Sequence, residues 1–250
     1  MKHTYILIIT IFFFGGCSED GTETPLPENE VAELTLNVNN NANGGAIEFL
    51  NKTYTIESGE KINIAKLAYI LGDFILVKED GSEIVLDDQY ALINPKFTSP
   101  VIKLKSIPKG SYKAIKFSLG LDSSINHADP SIYDIDHPLS PVNNSLHWSW
   151  TGGYIFMAIE GKIEGGNESY IFHLAGSPNK VDYELPIRFI KGKGALTGSL
   201  DFNFDEVFKN PEVYSLELDG KGTHSTTDNV TKKLFANMKD IFTVFNIATQ

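Results

Sequence analysis

The stretch 146–161 reads LHWSWTGGYIFMAIEG and holds both tryptophans of the chain, a histidine, a Gly-Gly pair and a long apolar run. Side chains alternate between the two faces of a β-strand, so a single strand here would place Trp148, Trp150 and Tyr154 on one face. His147 would lie on the opposite face. The two glycines predict a bulge between the halves of the strand. The composition favours a core strand of a β-sandwich.

The rest of the chain repeats the period of two. Apolar and polar residues alternate in 32–38, in 115–121 and again in 196–204. The turns EDGS at 79–82 and PKG at 108–110 each predict a β-hairpin. Short strands separated by Gly and Pro turns predict an all-β fold, specifically an antiparallel, immunoglobulin-like β-sandwich.

One segment near the C-terminus shows a helical period instead. Its apolar residues recur about every 3.6 positions after a capping threonine, Thr226 or Thr227. We therefore predict one C-terminal helix with an apolar face formed by Val230, Leu234, Met238, Ile241 and Phe245.

The N-terminal residues have the features of a bacterial lipoprotein signal. Lys2 precedes the apolar run 5–14, and two glycines lead to Cys17, the one cysteine of the chain. A lipidated Cys17 would anchor the protein in a membrane. The acidic, Pro-containing stretch that follows lacks apolar periodicity. We divide the chain into a signal with lipidated Cys17 at 1–17, a flexible tether at 18–30 and one β-sandwich domain at 31–250.

These features predict a location in the bacterial periplasm or outer membrane, including the cell surface, with attachment through lipid. The formal net charge of −11 disfavours nucleic acid as a partner, because a negative surface repels phosphates.

Histidines are the residues most suited to bind a ligand. Five of the six follow the predicted signal, but they are scattered and form no HExxH motif. The sequence contains no nucleophile elbow, P-loop or Rossmann glycine pattern, so we predict that the protein is not an enzyme. The five histidines are His127, His137, His147, His173 and His224.

The order of several short motifs resembles one known family, the MbnP-like periplasmic copper-binding proteins. The resemblance runs from about residue 34 to the C-terminal helical segment. It is carried by FSLGLD at 117–122, NHADP at 126–130, HWSW at 147–150, GYIF at 153–156, EG at 160–161, FHL at 172–174 and His224.

The resemblance implies a copper-binding protein that acts in copper uptake, storage or delivery. It implies that a partner, a di-haem MauG-like oxidase, oxidises a tryptophan to kynurenine, which then binds copper together with histidines. The corresponding positions are His127, His173 and His224 for the histidines. The modified residue is Trp148 or Trp150.

Two alternatives remain open from the sequence. In a glycan-binding surface lipoprotein, the tryptophans would form an exposed stacking platform and the histidines would not converge. In a structural surface lipoprotein, both indoles would be buried and no site would form. The copper-binding hypothesis predicts a copper ion near the tryptophan stretch, and a metal site can draw its histidines from distant parts of the chain.

Overall fold

The computed structural model describes residues 32–108, 110–149, 151–190 and 195–249, without the side chains of 188–190, 245, 246, 248 and 249. They belong to the larger of the two units into which the chain divides, Val31–Gln250. The predicted signal, Cys17 and the predicted tether lie outside the described residues, as does Trp150.

Strands dominate the described residues. The strands are β1 (Ala32–Ala42), β2 (Gly45–Ala46), β3 (Tyr54–Thr55), β4 (Lys61–Ile62), β5 (Lys66–Lys78), β6 (Glu83–Val85), β7 (Ala91–Ile93), β8 (Val101–Ile107), β9 (Ser111–Leu119), β10 (His147–Ser149), β11 (Gly153–Lys162), β12 (Ser169–Ala175), β13 (Val181–Ile190), β14 (Leu196–Asn203), β15 (Gly222–Thr223) and β16 (Phe242–Thr249). The helices are α1 (Ser123–Asn126), α2 (Pro141–Asn144) and α3 (Asn229–Asn237), with 3-10 turns at Pro130–Ile132, Ser177–Asn179, Phe204–Phe208 and Met238–Asp240.

The first main sheet has the order β16-β14-β1-β2, with β8 also paired to β1. Along β1, buried residues alternate with more exposed ones, as the period of two predicts. Strands β1 and β14 run parallel, with Leu34 opposite Leu196.

The second main sheet has nine strands and the order β13-β9-β5-β11-β12-β15. Strand β10 pairs with β11, and β6 and β7 pair with β5. Most of its pairs are antiparallel, but β12 and β15 are parallel. A separate small sheet contains β3 and β4.

Aromatic side chains of the two main sheets meet in a shared core. Tyr69 of β5 stacks on Phe202 of β14 at a centroid distance of 5.0 Å. Phe242 of β16 contacts Phe117 of β9 at 5.4 Å and Tyr183 of β13 at 5.0 Å. The mostly β fold is therefore confirmed, and two sheets facing one core fit a β-sandwich. Purely antiparallel, immunoglobulin-like pairing is not confirmed, because both main sheets are mixed.

The two predicted hairpins have different outcomes. The turn at 79–82 joins β5 to β6, with Ile75 opposite Val85, and Gly81 has a φ of 88°. This hairpin is confirmed. The hairpin at 108–110 is wrong, because β8 pairs with β1 whereas β9 pairs with β5 and β13. The chain crosses from one sheet to the other at this point.

The C-terminal helix is shorter than predicted. Its N-cap is Asp228, whose carboxylate accepts a hydrogen bond from the backbone N–H of Thr231, and the helix ends at Asn237. A strand, β16, follows and pairs antiparallel with β14. The predicted apolar face is wrong beyond Asn237, because Met238 lies in a 3-10 turn, Ile241 directly follows that turn, and Phe245 lies on β16. None of the helices in the described residues has the length and hydrophobicity of a membrane span.

Candidate metal centre

The tryptophan stretch forms a tight hairpin and not the single strand that the sequence predicts. Strands β10 and β11 are antiparallel, with His147 opposite Tyr154. The reversal depends on Gly153, which has a φ of 67° in the left-handed region. The side-chain amide of Asn126 fills the space beside this glycine and its Oδ1 accepts from the N–H of Tyr154 at 2.8 Å. Trp148 therefore lies on a short strand of its own.

His173 lies on β12, next to the central strand β11. In the antiparallel register, His173 is opposite Ala158. Its neighbours Phe172 and Leu174 are fully buried, whereas His173 is only partly buried. The alternation of the strand thus directs His173 to the face of the sheet opposite the core.

His224 reaches His173 through the parallel pairing of β15 with β12. Thr223 is paired with Phe172, so a histidine comes next on each side, His173 on β12 and His224 directly after the end of β15. The two imidazole rings lie 4.6 Å apart between centroids, at an angle of 74°.

A network of hydrogen bonds fixes the loop after His224. The side chain of Asn179 donates to the carbonyl of Thr226 at 2.7 Å and to that of Ala175, at the end of β12, at 2.8 Å. Thr223 donates its hydroxyl to Asp228 at 2.7 Å. The position of His224 relative to β12 is therefore set by contacts on both sides.

Trp148 completes a group that we call the Trp148 cluster, defined as Trp148, His173 and His224. The Trp148 ring lies 6.4 Å from the ring of each histidine, between centroids. Trp148 is half-buried against the hydrophobic core, and His224 is exposed. The cluster thus lies at the surface with one apolar wall.

Glu160 supports the cluster from β11. Its Oε1 lies 2.9 Å from Nε2 of His173 and 3.1 Å from Nζ of Lys66. Burial raises the pKa of Glu160, but the hydrogen bonds from His173 and Lys66 outweigh it and leave the pKa of this carboxyl below its ordinary value. Nδ1 of His173 is buried and has no hydrogen-bond partner among the described residues.

The other sequence candidates lie elsewhere. His127 is exposed, its Nε2 lies 3.4 Å from Nδ2 of Asn126, and none of the ring contacts of the cluster involves it. His147 packs its ring against Tyr154 at 4.7 Å, and burial lowers its pKa. His137 stacks on Tyr133 at 4.3 Å.

Sequence reasoning missed Glu160 and Lys66 as supporting residues, because only the strand register brings them to His173.

The residues of the cluster fit copper in part. Two imidazoles are suitable ligands for Cu(I) and Cu(II), and His173 offers a buried nitrogen without a partner. Within the described part of the chain, no three His, Cys, Asp or Glu side chains form a metal-binding group. An indole N–H offers no lone pair to a metal. A third donor from this cluster would therefore require a chemical change at Trp148.

Comparison with known proteins supports the resemblance seen in the motifs. The MbnP family model matches residues 31–250. The chain belongs to the MbnP family. Among solved structures, this MbnP-family protein is similar to MbnP from Methylosinus trichosporium, with a TM-score of 0.61. The match covers 87% of this chain and 99% of that chain at 14% sequence identity, so it establishes a common fold alone. No curated protein sequence matches the chain.

Proposed function

We propose that this MbnP-family protein binds copper at the Trp148 cluster and acts in copper uptake, storage or delivery. The observation that carries the proposal is the convergence of His173 and His224 beside Trp148, from segments about 50 residues apart in sequence. Family membership and the unpartnered Nδ1 of His173 support it. The family resemblance also proposes His127 as a ligand, although its ring makes none of the ring contacts of the cluster.

Oxidation of Trp148 to kynurenine would supply the missing donor. The C2–C3 bond of the five-membered ring breaks and each of its carbons gains one oxygen, as two molecules of hydrogen peroxide are reduced to water. Water then removes the formyl carbon as formate. The residue that remains has a ketone and a free aniline nitrogen, whose lone pair can bind copper together with the two imidazoles. In this proposal, a di-haem MauG-like oxidase uses the peroxide, and the MbnP-family protein is its substrate and not itself an enzyme.

The glycan-binding alternative fits the geometry less well. It predicts exposed indoles and histidines that do not converge. Trp148 is instead half-buried, and the rings of His173 and His224 both lie within 6.4 Å of its ring. A sugar-stacking platform requires an open aromatic face. The structural alternative predicts no binding site. It does not explain why the buried Nδ1 of His173 lacks a hydrogen-bond partner among the described residues.

Replacing Trp148 with phenylalanine is expected to abolish the kynurenine and to weaken copper binding. Phenylalanine preserves the apolar wall but has no ring that oxidation converts to an aniline. We expect protein purified from its native membrane to lose one carbon and gain one oxygen at Trp148, as peptide mass mapping would detect. In Trp148→Phe, that change should disappear, and the Cu(I) affinity should fall by at least the roughly 10–100-fold that loss of an outer-shell partner already costs.

Trp150→Phe is the matched comparison for this experiment, since it makes the same change two residues away. It should retain the modified peptide and the copper. If the modification is instead found at Trp150, or at neither tryptophan when copper is bound, the assignment of Trp148 is wrong.

We further propose that the protein is a lipoprotein of the outer membrane or periplasm, attached through Cys17. Replacing Cys17 with serine removes the thiol that would carry the lipid. Cells fed a labelled fatty acid should incorporate the label into the native protein and not into Cys17→Ser, and the variant should leave the membrane fraction. Label in the variant, or its absence from the native protein, would contradict lipidation at Cys17.

A further inference from the structure

Glu160 lies at the centre of a cross-strand group on three neighbouring strands. It is directly opposite Lys66 of β5 and opposite Ile171 of β12 in the register of the second sheet. His173 is two residues beyond Ile171 on the same face, so it is the diagonal neighbour of Glu160. The register alone therefore brings an ammonium group and an imidazole to the same carboxylate.

The ammonium group of Lys66 and the imidazole of His173 contact the same oxygen of Glu160. Oε1 lies 3.1 Å from Nζ of Lys66 and 2.9 Å from Nε2 of His173. A carboxylate paired with an ammonium group accepts hydrogen bonds and donates none. Nε2 of His173 must therefore carry the hydrogen, which leaves the lone pair of a neutral imidazole on Nδ1.

The other ring nitrogen of His173, Nδ1, is not engaged by any group among the described residues. It is buried and lacks a hydrogen-bond partner, which is rare for a nitrogen inside a protein. The ring that carries it faces His224 at 4.6 Å and Trp148 at 6.4 Å. The free lone pair thus belongs to the ring at the centre of the Trp148 cluster.

We propose that Glu160 is a positioning residue that holds the hydrogen of His173 on Nε2 and thereby commits Nδ1 as its copper ligand. The inference rests on the proposed copper site. It specifies the ligand atom, the imidazole tautomer and a residue that acts on copper only through His173. Lys66 contributes by keeping the same carboxylate oxygen paired, which holds Glu160 toward His173.

The test is side-chain nitrogen NMR of the full chain, labelled with ¹⁵N and held in detergent. His173→Gln assigns the resonances by the loss of one imidazole. In metal-free protein, we expect His173 to be a single tautomer with its hydrogen on Nε2. A hydrogen on Nδ1 would overturn the inference.

Glu160→Ala should release the imidazole, so that both tautomers are present and the Cu(I) affinity falls about 10–100-fold. Glu160→Gln keeps the side-chain shape and should give a smaller loss of the same sign. The matched control is Glu168→Ala, which removes another carboxylate paired with a lysine, Lys221, on a neighbouring segment. It should leave the tautomer and the affinity unchanged. Thermal denaturation would show whether the Glu160 variants are folded. Folded variants that bind copper as tightly as the native protein would overturn the positioning role.

Addition of Cu(I) separates this inference from the proposed function. Binding through Nδ1 should shift that resonance while the Nε2 hydrogen persists. If copper shifts Nε2 and displaces its hydrogen, the inference fails although the copper site stands. If no histidine resonance of the cluster responds to Cu(I), the proposed function fails, and the inference about the ligand atom fails with it.

Discussion

Replacing both His173 and His224 with alanine is expected to lower the affinity for Cu(I) roughly a thousandfold or more. The loss of one outer-shell partner of a metal ligand already costs about 10–100-fold, and this variant removes two ligands. The residual cluster would contain one aniline nitrogen at most, and a single neutral donor holds copper poorly. Competition with a chelator of known Cu(I) affinity would measure the effect.

The double variant should remain folded. His224 is exposed, and His173 makes its side-chain hydrogen bond to Glu160 on the outer face of the sheet. Thermal denaturation would verify this. His137→Ala is the matched control, because it removes a histidine that stacks on Tyr133 and makes no ring contact with the cluster. Unchanged copper affinity in the double variant, or an equal loss in His137→Ala, would place copper elsewhere.

The strands that alternate cleanly were predictable from the sequence, because burial on one face imposes a period of two. Strand β1 follows that pattern, and the Asp80-Gly81 turn joins β5 to β6 as expected. The hairpin prediction at 108–110 was wrong, since a Pro-Lys-Gly sequence indicates a reversal of the chain and does not specify which sheet the next strand joins. The same limit applies at Gly153, where one positive φ turned a predicted strand into a hairpin.

The site was predictable in its residue types and not in its geometry. The motifs indicated His173, His224 and Trp148, but their meeting depends on the parallel pairing of β15 with β12, which no local pattern encodes. The supporting pair Lys66 and Glu160 depends likewise on the register of β5 with β11. His127 shows that a matching motif does not by itself predict position: it lies in the NHADP motif, but its ring takes part in none of the ring contacts of the Trp148 cluster.

The close approach at Gly161 leads to the second large effect, on stability. An added Cβ at Gly161 would lie 2.0 Å from the carbonyl oxygen of Asn63 and 2.6 Å from the hydroxyl of Tyr170. That hydroxyl donates to the same carbonyl at 2.8 Å, and the backbone N–H of Asn63 is bonded to Lys162. Neither the carbonyl of Asn63 nor the hydroxyl of Tyr170 can move away from the added Cβ without breaking the hydrogen bond of Tyr170, which is fully buried.

Gly161→Ala is therefore expected to destabilise the fold by about 3 kcal/mol, as overpacking and one lost hydrogen bond together predict. Chemical denaturation of Gly161→Ala and the native protein would measure it. Gly166→Ala is the matched control, because its nearest neighbour would be the backbone nitrogen of Glu168 at 3.8 Å. A loss below about 1 kcal/mol in Gly161→Ala would show that the contact relaxes cheaply. Because Glu160 precedes Gly161 on β11, a shifted strand should also disturb the contact between Glu160 and His173, so copper affinity should fall together with stability.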